Sequence, residues 1–267
     1  MLHFTATPLL VMVFSGFVWS LPDYISGLIV LAVALLYGGV ARMQHRSEAS
    51  KKFAPAHALA AVVLLTTSLM LLLSGNELFL AWTIEAVLLY EIGLRFTGKH
   101  TRWLAHILFS MIIIGLVSRW VDPLGDSFPI LNPNGLTVLI ILGSMVYIAS
   151  RSASKIGRWV YAIAAHSYFL VFLFLELRSL ESGQGVVTIV WGAYAVILFV
   201  LGLLRNISVV RILGSATLLL VVAKLFLVDL AALETIWRVL LFMGFGALFL
   251  LLSYLLKNLL PHPEKED

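Results

Sequence analysis

The sequence predicts an all-α protein, a polytopic transmembrane helix bundle of about ten spans. Three observations carry that reading. Of the 267 residues, 61% are hydrophobic and 12% charged, with a mean hydropathy of +1.02; a soluble domain runs nearer to half apolar and a quarter charged. The apolar residues fall into stretches of about 20, the length a helix needs to cross the hydrocarbon core. Charges, finally, segregate between alternate connections as membrane topology requires. The same composition excludes a disordered chain, a collagen-like fibre and a disulfide scaffold, since there is no Gly-X-Y period and no Cys. The lack of Cys also removes thiolate metal sites and thiol nucleophiles.

Taken in order, the spans run 3–19, 24–43, 54–74, 76–96, 103–121, 133–150, 159–178, 185–204, 209–229 and 235–257. Span 1 lacks a basic leader and a small-residue cleavage site, so it is read as retained. Spans 2 to 5 are bounded by polar breaks and short connections, which make neighbours antiparallel hairpins. Span 6 has the clearest start: Asn132 can cap and Pro133 suits the first helical position. Trp19, Trp103, Trp120, Trp159 and Trp237 lie near predicted span ends, as interfacial anchors do, whereas Trp82 and Trp191 do not.

The loops after spans 2, 4, 6 and 8, with the C-terminal tail, hold 14 of the 18 basic residues: Arg42, Arg46, Lys51, Lys52, Arg95, Lys99, Arg102, Arg151, Lys155, Arg158, Arg205, Arg211, Lys257 and Lys265. Only Glu48, Glu264, Glu266 and Asp267 oppose them on that side. The positive-inside rule makes this side cytoplasmic and places both termini there, in a bacterial inner membrane. The pI near 9.4 is then a mark of topology and not of nucleic-acid binding.

A shift of 109 residues superposes His57 on His166, Trp82 on Trp191, Ala86 on Ala195, Gly93 on Gly202 and Arg102 on Arg211 without gaps. Coincidence of rare Trp, His, Gly and Arg in one register points to an internal repeat. The predicted organisation is an N-terminal hairpin over 1–53, two parallel four-helix units over 54–158 and 159–257, and a tail over 258–267. Parallel duplication occurs in transporters, with substrate held between repeats, and equally in inert bundles.

The stretch Lys224-Leu-Phe-Leu-Val-Asp229, followed by Ile236-Trp-Arg238 and Ser253-Tyr254, resembles the C-terminal end of a bacterial family of membrane proteins catalogued as domain of unknown function 2339. Trp82-Thr-Ile-Glu85-Ala86 with Gly93, and Leu131-Asn132-Pro133, are similar to that family's recurrent unit. The resemblance covers about residues 55 to 257. Members are typically longer, so the chain resembles a short form or a last part of one. The resemblance implies a many-helix inner-membrane protein of unassigned activity and supplies no catalytic residue.

Ionisable groups inside spans are the best functional pointers in such a chain. Glu85 falls near the middle of span 4 and must face the bundle, hydrogen-bonded, paired or protonated. It can be a carrier or ligand site, or simply an acid bonded to a neighbouring helix; its repeat equivalent, Tyr194, means the unit folds without it. His57 and His166 share a register, which suits a helix-to-helix packing bond, while a Glu85–His166 relay is the functional version. Glu91 pairs locally with Arg95 four residues on, and Lys224 can snorkel to the outer surface. An outer-face polar cluster gathers Arg119, Asp122, Glu176, Lys224, Asp229 and Arg238, under a 122–134 loop that could cover a cavity or merely complete the charge segregation. The seven His residues form no ligand spacing, so no metal or cofactor is expected. Neither nucleophile elbow nor phosphate loop is present.

The functional expectation is a non-enzymatic envelope protein that binds or moves a lipid, lipid-linked glycan or other amphiphile. A membrane scaffold with a protein partner or a second copy of the chain is the alternative. An enzyme acting on lipid headgroups at the outer face is a further one. Membrane lipid is the expected partner in each case.

Overall fold

A computed structural model describes residues 21–97, 99–118, 130–180 and 183–229, with isolated helical positions at 239, 243, 246, 247 and 250. Among the described residues there is no strand. Eight α-helices follow one another: α1 Asp23–Arg46, α2 Ala54–Leu72, α3 Gly75–Ile92, α4 Lys99–Ser118, α5 Pro133–Arg151, α6 Lys155–Leu177, α7 Gly183–Leu204 and α8 Ser208–Lys224. Seven are long and apolar enough to cross a membrane. The remaining one, α3, carries Glu77, Glu85 and Glu91 within its 18 residues. The protein is a polytopic helical membrane bundle. Predicted spans 1 and 10 lie on residues that are, but for a few positions of span 10, outside the described ones.

The helices begin earlier than apolar limits suggest. Spans 5 and 7 were expected from 103 and 159, yet α4 and α6 start at Lys99 and Lys155. The first turn of each is basic but helical, because Lys and Arg are good helix formers. At the other extreme α3 and α8 do not stop where their α-helical bonding does. Each continues through a five-residue π-helical turn, Gly93–Thr97 and Leu225–Asp229.

The start of α5 forms as its sequence predicts. Asn132 Oδ1 accepts the Gly135 backbone N–H at 2.7 Å, and Pro133 occupies the first turn. Between α2 and α3 the chain reverses through Leu73 and Ser74, and Gly75 enters α3 with φ 60°, a left-handed conformation that costs glycine little.

The chain divides into two compact units, Met1–Phe169 and Leu170–Asp267. In the first, α1 packs along α2, α3 against α4, and α3 against α5. Val30, Ala34 and Leu64 form the buried centre of the α1–α2 pair, with Tyr37 and Leu65 against it. In the second, α7 and α8 form a tight antiparallel hairpin. A Cβ built on Gly202 would fall 2.5 to 2.8 Å from the backbone N, Cα and Cβ of Arg211, and one on Gly214 2.6 Å from Phe199 N. Two glycines facing the opposite backbone therefore set the interhelical distance, as small residues do in membrane helix pairs. Outward faces stay apolar, with Leu35, Leu36, Ile114, Ile189 and Leu219 exposed to what lipid would cover.

Candidate functional site

The α2–α3 contact is a polar seam inside an apolar bundle. Glu85 on α3 is only 6% exposed. Thr66 on α2 reaches it, its hydroxyl 2.8 Å from Glu85 Oε1 and 3.0 Å from the Val62 carbonyl of its own helix. Trp82, one turn before Glu85, donates its indole N–H to the Thr66 carbonyl at 3.3 Å. Thr66 is thus held from two sides, and Glu85 Oε1 with it. The other carboxyl oxygen, Oε2, is buried with no hydrogen-bond partner among the described residues. Ser68 and Thr83, both nearly fully buried, turn their hydroxyls to Leu65 and Phe79 carbonyls of their own helices, so neither serves Glu85. The seam offers one uncommitted acceptor, Oε2, for an incoming donor.

His166 does not join Glu85, whose hydrogen bond goes to Thr66; the expected relay has no direct link. His166 is half-buried on α6. His57 bonds within its own helix and also packs across to α1. Its Nδ1 lies 3.1 Å from the Phe53 carbonyl, four residues back at the start of its own helix, and its ring stacks on Tyr37 of α1 at 5.6 Å.

Glu91 pairs with Arg95, as its spacing predicts, through a 3.4 Å contact to Arg95 Nε. It also gathers two groups from α5. Tyr147 donates its hydroxyl to Oε1 at 2.9 Å, and Arg151 reaches both oxygens, Nε to Oε1 at 3.2 Å and Nη2 to Oε2 at 3.4 Å. One carboxylate therefore ties α3 to α5 near one end of the bundle.

A second polar link joins residues that sequence reasoning had not singled out. His106 Nδ1 on α4 lies 2.7 Å from the Tyr161 hydroxyl of α6. The imidazole sits among the rings of Tyr90, Trp103 and Tyr161, and Phe109 meets Tyr161 edge-on. Trp103, His106 and Phe109 recur at a spacing of three, which places them on one helical face. That spacing was the available signal.

In the second unit Trp191 donates its indole N–H to the Leu170 carbonyl at 3.1 Å and packs on Phe174. Lys224 bridges α8 to α7, its ammonium donating to the Gln184 carbonyl at 3.1 Å and to the Thr188 hydroxyl. Glu176 is buried near the end of α6. Gly93 and Gly202 are both buried, and Gly202 faces Arg211 closely. Arg119, Asp122, Arg238 and the side chain of Asp229 lie outside the described residues, as does most of the 122–134 loop. Among the described residues no three His, Asp or Glu side chains converge on a metal position.

Comparison with known proteins gives one match and two blanks. No curated protein matches the chain, and no solved structure does. The family model described as "Predicted membrane protein (DUF2339)" matches residues 109–259, more than half of the sequence. The chain, a multi-pass membrane protein, belongs to this family, domain of unknown function 2339.

Proposed function

We propose that the protein binds an amphiphile within the membrane, a lipid or lipid-linked glycan that it holds or passes across, and that Glu85 is the polar anchor. The observation that carries this reading is the buried, unpartnered Oε2 of Glu85. Glu85 is eleventh in α3, roughly 15 Å along the axis at about 1.5 Å per residue. With α3 crossing the bilayer between its neighbours, that is the middle of a hydrocarbon core about 30 Å thick. An acid at that depth costs about 2.5–3.5 kcal/mol on insertion scales, and leaving one oxygen without a donor adds to the cost. An amine or hydroxyl brought by a headgroup or sugar supplies the missing donor. Thr66 and Trp82 hold the carboxyl in place for it.

The same reading places both termini on the basic side, in a bacterial inner membrane, with two parallel four-helix units. Contacts at the 109-residue register support the duplication. In the first unit Gly115 faces the Phe79 ring; the equivalent pair in the second is Lys224 on Thr188. Trp82 and Trp191, also equivalent, each donate the indole N–H to a carbonyl of the preceding helix.

Mass spectrometry of the protein extracted with its native lipids tests the proposal. Wild type is expected to retain a specific lipid or lipid-linked glycan, and folded Glu85→Gln to lose it. Retention of the same companion by the variant removes Glu85 as the anchor. A stoichiometric protein in place of any lipid makes the chain a scaffold instead.

A further inference from the structure

The Glu91 cluster holds two positive charges on one negative. Arg95 engages Glu91 through Nε, which leaves its two terminal nitrogens uncommitted among the described residues. Arg151 uses Nε and Nη2 and keeps Nη1. Their side chains are 66% and 46% exposed, against 16% for Glu91 between them. Two guanidiniums pinned to one carboxylate repel each other, and a second anion relieves that repulsion. Guanidinium forks match phosphate oxygens in geometry as well as charge. The surrounding sequence adds Lys99, Arg102, Lys155 and Arg158 and, across 91–103 and 147–158, no acid besides Glu91.

An exposed apolar stripe leads to this cluster on each of its two helices. On α3, Ile84 and Leu88 are exposed and share a face, at about 100° per residue, with Glu91 and Arg95. On α5, exposed Leu136 and Ile140 share a face with Tyr147 and Arg151. From Ile84 to Arg95 is 11 residues, roughly 17 Å of helix, close to half of a hydrocarbon core about 30 Å thick. On α3 a charged end and an apolar stripe one leaflet long have the dimensions of a single phospholipid, and the α5 stripe, 15 residues from Leu136 to Arg151 or roughly 22 Å, runs past them.

We infer that the Arg95–Glu91–Arg151 cluster and the α3 and α5 stripes form a docking site for an anionic phospholipid, its phosphate on the two guanidiniums and its acyl chains on the stripes. This site is separate from Glu85 and stands whether or not an amphiphile binds there. Charge complementarity selects the occupant: the site is net positive, and anionic lipids attract basic groups at a membrane surface.

The test titrates the purified full chain in detergent with phosphatidylglycerol or phosphatidylcholine and counts bound lipid by native mass spectrometry. Wild type is expected to prefer phosphatidylglycerol. Arg95→Gln, whose ion pair among the described residues is with Glu91 of its own helix, is expected to weaken that lipid about fivefold and leave phosphatidylcholine unchanged. Arg151→Gln acts in the same direction but also loosens α3 from α5, so Glu91→Gln supplies the second arm. Removing the carboxylate frees both guanidiniums, so phosphatidylglycerol binding should rise while thermal stability falls. A purely structural clamp lowers stability in Glu91→Gln and leaves the lipid preference untouched. That outcome, or wild-type binding by Arg95→Gln, overturns the inference. So does inorganic phosphate displacing the lipid completely at equal concentration, since the acyl stripes then contribute nothing.

Discussion

Replacing Gly202 with alanine isolates what sets the distance between α7 and α8. The new Cβ lands 2.5 Å from Arg211 N and 2.7 Å from Arg211 Cα. Neither backbone atom can rotate aside, so the hairpin must open by several tenths of an ångström over its length. Overpacking of this kind costs about 1–3 kcal/mol. Alanine also favours helix over glycine by up to about 1 kcal/mol in aqueous peptides, which masks part of the loss. Gly39→Ala measures that propensity gain alone, since nothing lies within 4 Å of its added Cβ. The steric cost is the difference between the two variants, expected at about 1–3 kcal/mol. Gly214→Ala is expected to behave like Gly202→Ala, with Phe199 backbone atoms at 2.6 and 2.9 Å. The double variant should cost less than the sum, because opening the hairpin for one methyl makes room for the other. Reversible denaturation in bicelles, followed by Trp fluorescence, gives all four values. Equal stability of Gly202→Ala and Gly39→Ala, or strict additivity of the double variant, would refute the backbone-contact argument.

Two further outcomes follow from single bonds. Asn132→Ala removes the side chain that accepts Gly135 N–H and should cost about 1 kcal/mol, with Asn132→Ser restoring most of it; denaturation in the same bicelles reads both. His106→Phe and Tyr161→Phe break one interhelical bond from opposite ends. Their double-mutant cycle should return a coupling of about 0.6 kcal/mol, the usual scale in membrane bundles; a coupling of zero would mean that the rings pack without a functioning hydrogen bond.

What the sequence made legible are properties that belong to one helix at a time. Apolar length, the Asn132–Pro133 start and the Glu91–Arg95 pair each depend on neighbours within a turn or so, and each is present. The further partners of Glu91 lie 56 and 60 residues away. Helical spacing cannot place Tyr147 and Arg151 beside it, because that depends on which faces of α3 and α5 meet. Thr66 was invisible as the partner of Glu85 for the same reason, 19 residues back on another helix. For His57 the shared register pointed to a neighbouring helix; its ring stacks on Tyr37 of α1, and its Nδ1 also lies by the Phe53 carbonyl one turn back. The His106–Tyr161 pair left a readable trace in the aromatic spacing of α4, and only its partner required the fold.

The three glutamates of α3 have a consequence for how the chain is made. A segment bearing Glu77, Glu85 and Glu91 partitions poorly into lipid by itself, and its neighbours differ in when they emerge. Thr66 is synthesised before Glu85 and can meet it at once, so α2 and α3 enter the bilayer best as a pair. Tyr147 and Arg151 follow Glu91 by 56 and 60 residues, which at bacterial and eukaryotic elongation rates is a delay of roughly 3–12 s. For that interval Glu91 has, of its three partners among the described residues, Arg95 alone. The chain has no Cys, so a single cysteine placed at Leu88 should react with an aqueous thiol reagent in nascent chains arrested before α5 and be shielded in those arrested after Arg151. The biosynthetic machinery, not the finished bundle, is where the acidity of α3 is felt first.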